Sequence, residues 1–209
     1  MLSNEGYRYY IVFIDAYTRY SWMYPLHLKS EALSVFIKFQ KLVELQFERK
    51  IKTIQADMGG EYLPFVPYLS NIGVHVRFSC PYTHQQNGDP KRKHRSIVET
   101  GLTLLAHGGL PLKFWFEAFS TATILIDNLP TPLLGFVSPF EKLFHKKPNY
   151  NFFKASQSCA AIYSDVKPAD SQLHKSPPCY FDLTMHMHSI NNGQAFTRKN
   201  LISCIDKVS

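Results

Sequence analysis

Short apolar runs and amphipathic stretches alternate along the first 130 residues, and this alternation constrains the fold more than any other feature of the chain. Residues 8 to 15 are rich in aromatic and β-branched residues, and residues 20 to 26 repeat that composition after a short turn. Such runs favour β-strands, and a short turn between two of them predicts a hairpin. Residues 33 to 48 then carry apolar side chains at helical spacing, with Ser30 as the expected N-cap.

The alternation continues beyond this first helix. Proline and glycine residues separate the later stretches and mark where they end. The predicted order is strand, short helix, strand, helix and helix, over residues 50–56, 61–71, 74–78, 90–107 and 112–129. Strands that alternate with helices indicate an α/β fold, in which helices cover a sheet.

The pattern is lost beyond Lys154. Residues 155–209 contain isolated polar residues, a Pro177-Pro178 pair and a His186-Met187-His188 cluster, without sustained periodicity. We therefore expect a folded domain over about residues 1 to 150 and an irregular, weakly ordered tail.

The composition is that of a globular protein, with 45% apolar and 19% charged residues among 209. Four widely spaced cysteines without a C-x-x-C pair indicate reduced thiols inside a cell. No apolar run is long enough to span a bilayer, and the N-terminus lacks the features of a signal peptide. We expect a nuclear or cytoplasmic protein with no membrane contact.

The most basic segment of the chain is Lys91-Arg92-Lys93-His94-Arg95, which follows a polar loop at residues 85 to 88. The formal net charge is +7, so a polyanionic partner is plausible. A basic run at a helix start is typical of surfaces that contact a phosphate backbone. The alternative is a solvated helix face with no partner.

Several segments resemble the integrase core of copia-type LTR retrotransposon Pol polyproteins. The hairpin, the block Asp57-Met58-Gly59-Gly60-Glu61-Tyr62 and the basic helix all have counterparts there. The resemblance runs in the family's order from residue 6 to about residue 154, over residues 6–20, 55–62, 80–87, 92–99, 110–118, 128–131 and 138–141.

The resemblance implies a ribonuclease-H-like fold, a mixed sheet flanked by helices. We expect a truncated catalytic core at residues 1–110, a helical extension at 111–154 and a degenerate tail at 155–209. In the family the central strand precedes the hairpin, so we expect that first strand to be missing here. The open slot would make the fold marginal unless residues 1 to 6 or the tail filled it.

The resemblance also implies a site of acidic residues that binds Mg²⁺ or Mn²⁺, because hard cations need oxygen ligands. Asp57 matches the second catalytic aspartate, and Lys91 stands where the family has its catalytic glutamate. An ammonium at ~4 Å from a dication is repelled by roughly 8 kcal/mol at an effective dielectric near 20. We therefore expect an inactive site with no productively bound metal and no organic cofactor.

Other residues offer poor replacements for the missing ligands. Asp15 is expected to be a hairpin aspartate, Asp89 to lie on a different face of the helix, and Glu99 to lie two turns too far along. A zinc site at His186, His188 and Cys179 is a weak hypothesis, since no second ligand pair has finger spacing. The aromatic residues around Trp115 are predicted to lie in the core rather than to stack on bases.

The predicted partner is DNA, bound without sequence preference through its phosphates, and a homo-oligomer is left open. Two alternatives remain, an active transferase whose carboxylates are completed by another subunit and a non-catalytic DNA-binding or protein-interaction module. The predicted nucleic-acid-binding residues are Gln86, Asn87, Lys91, Arg92, Lys93, His94 and Arg95.

Overall fold

The computed structural model describes residues 1–56, 59–78, 88–150, 153 and 181–189, with the backbone alone at 88–90, 181–183 and 186–189. Short 3-10 turns precede several of the helices. The strands are β1 (Tyr9–Asp15), β2 (Ser21–Leu26), β3 (Ile51–Ala56), β4 (His75–Phe78) and β5 (Phe181–Ser189). The helices are α1 (Ala32–Phe47), α2 (Phe65–Asn71), α3 (Gly88–His107), α4 (Trp115–Asn128) and α5 (Pro139–Phe144).

The five strands form one mixed sheet in the order β2-β1-β5-β3-β4. β1 is antiparallel to β2, with Val12 beside Met23. β5 is antiparallel to β1 and parallel to β3, and β3 is parallel to β4. The strand that comes last in the sequence therefore lies at the centre of the sheet.

β5 fills the slot that we expected to be open. It pairs with all of β1, from Tyr9 beside Ser189 to Asp15 beside Leu183. On its other side Ala56 of β3 lies beside Met185. We did not expect a strand here, because its apolar positions carry Phe, Leu and Met in place of the β-branched residues that mark β1, although their alternation with polar residues is itself a strand pattern. The other residues of the 155–209 segment lie outside the described part of the chain, so the expected domain division stays a prediction.

The sheet separates two apolar clusters. The side chains of β1 alternate between them, as the period of a strand requires. The cluster under α1 and α2 contains Ile11, Phe13, Phe36, Phe39, Val43, Ile54, Phe65 and Met185. The cluster under α3 and α4 contains Tyr10, Val12, Ile14, Ile97, Trp115 and Phe119.

Several helix boundaries differ from the prediction. Ser30 does not cap α1; it lies in a 3-10 turn whose Glu31 carboxylate accepts hydrogen bonds from the backbone amides of His27 and Leu28, at 2.9 and 3.2 Å. α5 was not predicted, although Ser138 caps it and Pro139 is its first residue. Among the described helices, none combines the length and the hydropathy needed to cross a bilayer.

Candidate nucleic-acid interface

The first two turns of α3 divide the predicted basic segment between solvent and the protein interior. Lys91, Arg92 and Arg95 are exposed, whereas Lys93 and His94 are partly buried. The 100° step of a helix explains the division, because residues 91, 92 and 95 lie on one side of α3 and residues 93 and 94 lie on the side that carries Ile97. The sequence predicted that all five basic residues would contact phosphates, and the fold exposes three of the five.

Lys93 is the cation of an internal ion pair. Its Nζ lies 2.5 Å from Oδ1 of Asp127 on α4 and donates more weakly to the backbone oxygen of Arg19, at 3.4 Å. The Lys93 side chain is 14% exposed and that of Asp127 is 2% exposed. A charge pair with this little solvent contact is a structural link and not a surface that receives a ligand.

Asp127 also binds the start of β2. The Ser21 backbone amide and hydroxyl both donate to its Oδ2, at 3.0 and 2.8 Å. Burial raises the pKa of Asp127, and Lys93 and Ser21 partly offset that effect by stabilising the charged form. The network ties α3, α4 and β2 together, and so fixes the orientation in which α3 presents its exposed cations.

His94 packs against the sheet. Its ring stacks on Tyr10 of β1, with centroids 6.0 Å apart and an interplanar angle of 17°. Tyr10 also contacts Trp115 and Phe119 of α4, with centroids 5.9 and 6.0 Å apart. The structure thus places His94, like Lys93, on the inner side of α3. Trp115 lies in the core, as predicted.

The acidic residues of the described chain do not converge. Asp15 is buried, and its Oδ2 accepts hydrogen bonds from the backbone amide and hydroxyl of Thr18, at 2.7 and 2.6 Å, so it fixes the hairpin turn. Glu61 lies 3.1 Å from the Nζ of Lys29. Within the described residues, no three His, Cys, Asp or Glu side chains lie close enough to share a metal ion.

Some predicted site residues lie outside the part of the chain that the structure describes. These are Asp57, directly after β3, together with Gln86, Asn87 and Cys179. The backbone positions of His186 and His188 are described, and they lie beside Val12 and Tyr10 of β1. The metal and zinc hypotheses therefore stay predictions at these positions.

The central strand β5 carries no acidic residue beside the end of β3, the strand that directly precedes Asp57 in the sequence. Its one acidic residue is Asp182, which lies beside Thr53, whereas Met185 lies beside Ala56 at the end of β3. The residues of β5 from Thr184 to the end of the strand are Thr-Met-His-Met-His-Ser. In this register the β5 position beside Ala56, the last residue of β3, carries no carboxylate.

Sequence reasoning missed Asp127 and Ser21 as partners of the basic segment. A signal existed, because Asp127 is the one charged residue in the last three turns of α4, where the other residues are apolar or neutral polar. A lone acid at such a position predicts a buried ionic partner, although it does not say which cation supplies it.

Comparisons with known proteins agree with this architecture. A family model described as the integrase core domain matches residues 1–84. The chain is 44% identical over 183 residues, or 87% of its length, to the retrovirus-related Pol polyprotein from transposon RE1 of Arabidopsis thaliana. The chain belongs to the retrotransposon integrase-core family.

Other Pol polyproteins match this integrase-core chain over a similar span. It is 46% identical over 183 residues to that of transposon RE2 of Arabidopsis thaliana, and 37% identical over 182 residues to that of transposon TNT 1-94 of Nicotiana tabacum. These matches cover 87% and 86% of the chain. The chain spans 12–14% of the length of the Pol polyproteins that it matches.

A solved integrase structure shares the fold. A cryo-EM structure of the simian T-cell lymphotropic virus intasome, in complex with PP2A regulatory subunit B56 gamma, covers 82% of the integrase-core chain with a TM-score of 0.53 and 16% identity, over 56% of the solved chain. The catalytic core domain of BIV integrase covers 69% with a TM-score of 0.49 and 17% identity, over 90% of the solved chain. The predicted ribonuclease-H-like mixed sheet is confirmed.

Proposed function

We propose that this integrase-core chain binds DNA through its phosphates on the outward side of α3 and does not catalyse strand transfer. The observation that carries the proposal is the placement of Lys91, Arg92 and Arg95 together in solvent. Three cations on one side of a helix can follow a phosphate backbone, since phosphate contacts supply most of the affinity of sequence-independent DNA binding.

The position of these cations on α3 supports an anionic ligand. They lie in the first two turns of a helix that begins at Gly88. The backbone amides and the dipole at a helix N-terminus favour negative charge, and they act in the same direction as the side chains. Lys91 and Arg95 are one turn apart and can contact neighbouring phosphates of one strand.

Two positions without a carboxylate support the proposed loss of strand transfer. The resemblance puts a glutamate at the position of Lys91, and the register puts no β5 carboxylate beside the end of β3. A pair of divalent ions needs several anionic oxygens to hold it, and an exposed ammonium repels it instead. In this proposal the chain retains the DNA binding of an integrase core and has lost its metal-dependent strand transfer.

Two parallel assays on the same preparation test the proposal. Fluorescence anisotropy with a labelled DNA duplex should show binding that weakens as salt is raised. A joining assay with Mn²⁺ and pre-cut element-end DNA should show no joined product. Joined product that disappears in Asp57→Ala would contradict the inactive site, and salt-independent or undetectable anisotropy change would contradict DNA binding.

The Lys91→Glu variant separates the two halves of the proposal. It should weaken DNA binding by removing a phosphate contact and adding a negative charge. It should not start joining, because one restored carboxylate still leaves the β5 position beside the end of β3 without an acid. Joining by this single variant would show that the remaining ligands are already in place.

A further inference from the structure

The sheet consists of two ribbons that one strand holds together. β2 pairs with β1, and β3 pairs with β4. In the described part of the chain, the hydrogen bonds that join these ribbons are those of β5, which pairs with β1 on one side and β3 on the other. The central slot, meaning the space between β1 and β3, therefore must hold a strand for the sheet to be continuous.

The walls of the central slot are buried on both faces of the sheet. Ile11 and Phe13 of β1 are fully buried on one face, and Tyr10 and Val12 are 1% and 2% exposed on the other. An empty slot would leave the facing backbone groups of β1 and β3 without partners in an apolar setting, at about 1–3 kcal/mol for each buried group. The slot thus binds an extended backbone strongly.

The slot also selects the side chains of the strand that fills it. Met185 is 1% exposed and joins Ile11, Phe13, Ile54 and Ala56 in the cluster under α1. Alternate residues of β5 in the sequence, Leu183, Met185 and Met187, are all apolar. Since successive residues of a strand lie on opposite faces, a slip of one residue would bring the polar positions of the segment to that cluster instead.

A long stretch of sequence connects β5 to the rest of the described chain. Residues 154 to 180 separate it from Phe153, and a segment of that length can reach about 90 Å when extended. A connection of this length raises the local concentration of β5 to about the millimolar range, but length alone does not select which residues enter the slot. Recognition of β5 therefore resides in the slot.

We propose that the central slot is an acceptor site for an extended peptide, and that a second copy of residues 181–189 can replace the resident strand. The replacing segment lies antiparallel to β1 and parallel to β3, with the residue equivalent to Met185 in the cluster under α1. Exchange between copies loses no native contact, which is the condition for strand swapping. It is suppressed in the intact chain at low concentration because the tethered strand competes.

A cut in the connecting segment tests this proposal on the full-length chain. Residues 163–169 are replaced by a site for a specific protease, and the purified protein is cleaved under native conditions. The two fragments should elute together on gel filtration, with unchanged near-ultraviolet circular dichroism. Separation of the fragments, or unfolding of the larger one on cleavage, would show that the chain connection holds β5, and would overturn the proposal.

Exchange is then measured with a labelled peptide that has the sequence of residues 178–192. The peptide should enter the cleaved protein, and the same peptide with Met185→Asp should bind about a hundredfold more weakly, because it would bury an unpaired carboxylate. The uncut protein should take up neither peptide at micromolar concentration. Failure of the first peptide to enter, or equal entry of both, would overturn the proposal.

Discussion

The Lys93–Asp127 pair decides which cations of α3 face solvent. The pair is buried, and the same carboxylate accepts two hydrogen bonds from Ser21. Replacing both members of a buried pair is often tolerated, but removing one member leaves a charge in an apolar setting. The pair therefore links the stability of the α3–α4 layer to the orientation of the exposed cations.

Removal of the lysine alone should destabilise the chain strongly. Lys93→Met is expected to lower the free energy of unfolding by about 3–5 kcal/mol, because Asp127 keeps its charge without its cation. Adding Asp127→Asn should recover at least half of the loss, since the amide oxygen still accepts from Ser21. Urea unfolding followed by tryptophan fluorescence measures both variants. Lys91→Met, at an exposed position, is the control and should change stability by less than about 0.5 kcal/mol.

The cost of Lys93→Met should also depend on pH. Burial raises the pKa of Asp127, and loss of the lysine removes the cation that offsets this effect. A carboxyl whose pKa is higher in the folded state stabilises the fold below its unfolded pKa and loses that contribution as pH rises through the folded value. The variant should therefore be less destabilised at pH 5 than at pH 8, and an equal cost at both would contradict this assignment.

Buried tyrosines should make the fold sensitive to alkali. Burial raises the pKa of Tyr10 above its ordinary value of 10.0. Stability should be complete below pH 10 and fall above it, by about 1.4 kcal/mol per pH unit for each such group. Tyr10→Phe should shift the alkaline unfolding midpoint upward, measured by circular dichroism and absorbance at 295 nm. Tyr17→Phe, at a position 54% exposed, should leave the midpoint unchanged.

At the residue scale, the sequence predicted the helix start and a core position correctly, but it did not predict which side chains of α3 point inward. The basic segment is at the start of a helix, as predicted, and Trp115 is in the core. The inward placement of Lys93 and His94 required knowledge of where α3 meets the sheet and where Asp127 lies. Helical periodicity alone does not identify a buried lysine, because long cationic side chains usually reach solvent.

At the scale of elements, the contact between α3 and α4 depends on a glycine. A Cβ added at Gly101 would lie 2.3 Å from Cδ1 and 3.3 Å from Cα of Phe119. The helices can approach this closely because no side chain stands between them. Gly101→Ala should force them apart and cost about 1–3 kcal/mol, measured by urea unfolding.

Gly60 provides the matched control for this substitution. No atom lies within 4 Å of a Cβ added at that position. Gly60→Ala should be neutral or slightly stabilising, since it reduces only the freedom of the unfolded chain. Equal losses of stability in the two variants would mean that helix separation is not the cause.

The sequence predicted the helices and strands whose apolar residues recur at a regular spacing. It did not predict those that form because of tertiary contacts. The hairpin, α1, β3, β4, α3 and α4 follow the apolar pattern of the sequence to within a few residues. α5 has only six residues, too few to show a period. β5 has a weak strand signal, and it forms because the slot supplies hydrogen-bond partners on both sides.

At the scale of the whole molecule, the central strand of the sheet is the one that comes last among the described strands. The family resemblance implied a ribonuclease-H-like layer arrangement and a central position that residues 1 to 6 or the tail had to fill. It did not predict that residues 181–189 fill it, because strand order depends on pairings between distant segments. The same completed sheet packs against α3 and so positions its exposed cations.

The proposed DNA binding must also be tested at the scale of the whole molecule, because every cation of a chain with net charge +7 attracts phosphate. Contact through α3 must therefore be separated from general attraction. Two triple alanine variants each lower the net charge from +7 to +4 by removing three exposed cations. One removes Lys91, Arg92 and Arg95. The matched control removes Lys38, Lys41 and Lys50, which belong to the opposite layer or its connection to β3.

The salt dependence of Kd for a DNA duplex, measured by anisotropy for the wild type and both triple variants, tests the proposed interface most directly. If α3 makes the contacts, the α3 variant should bind more weakly and lose about 2 to 3 units from the slope of log Kd against log salt. The control variant should keep the wild-type slope. Equal slopes in the two variants, or a larger loss in the control, would contradict the assignment of α3 as the DNA-binding surface.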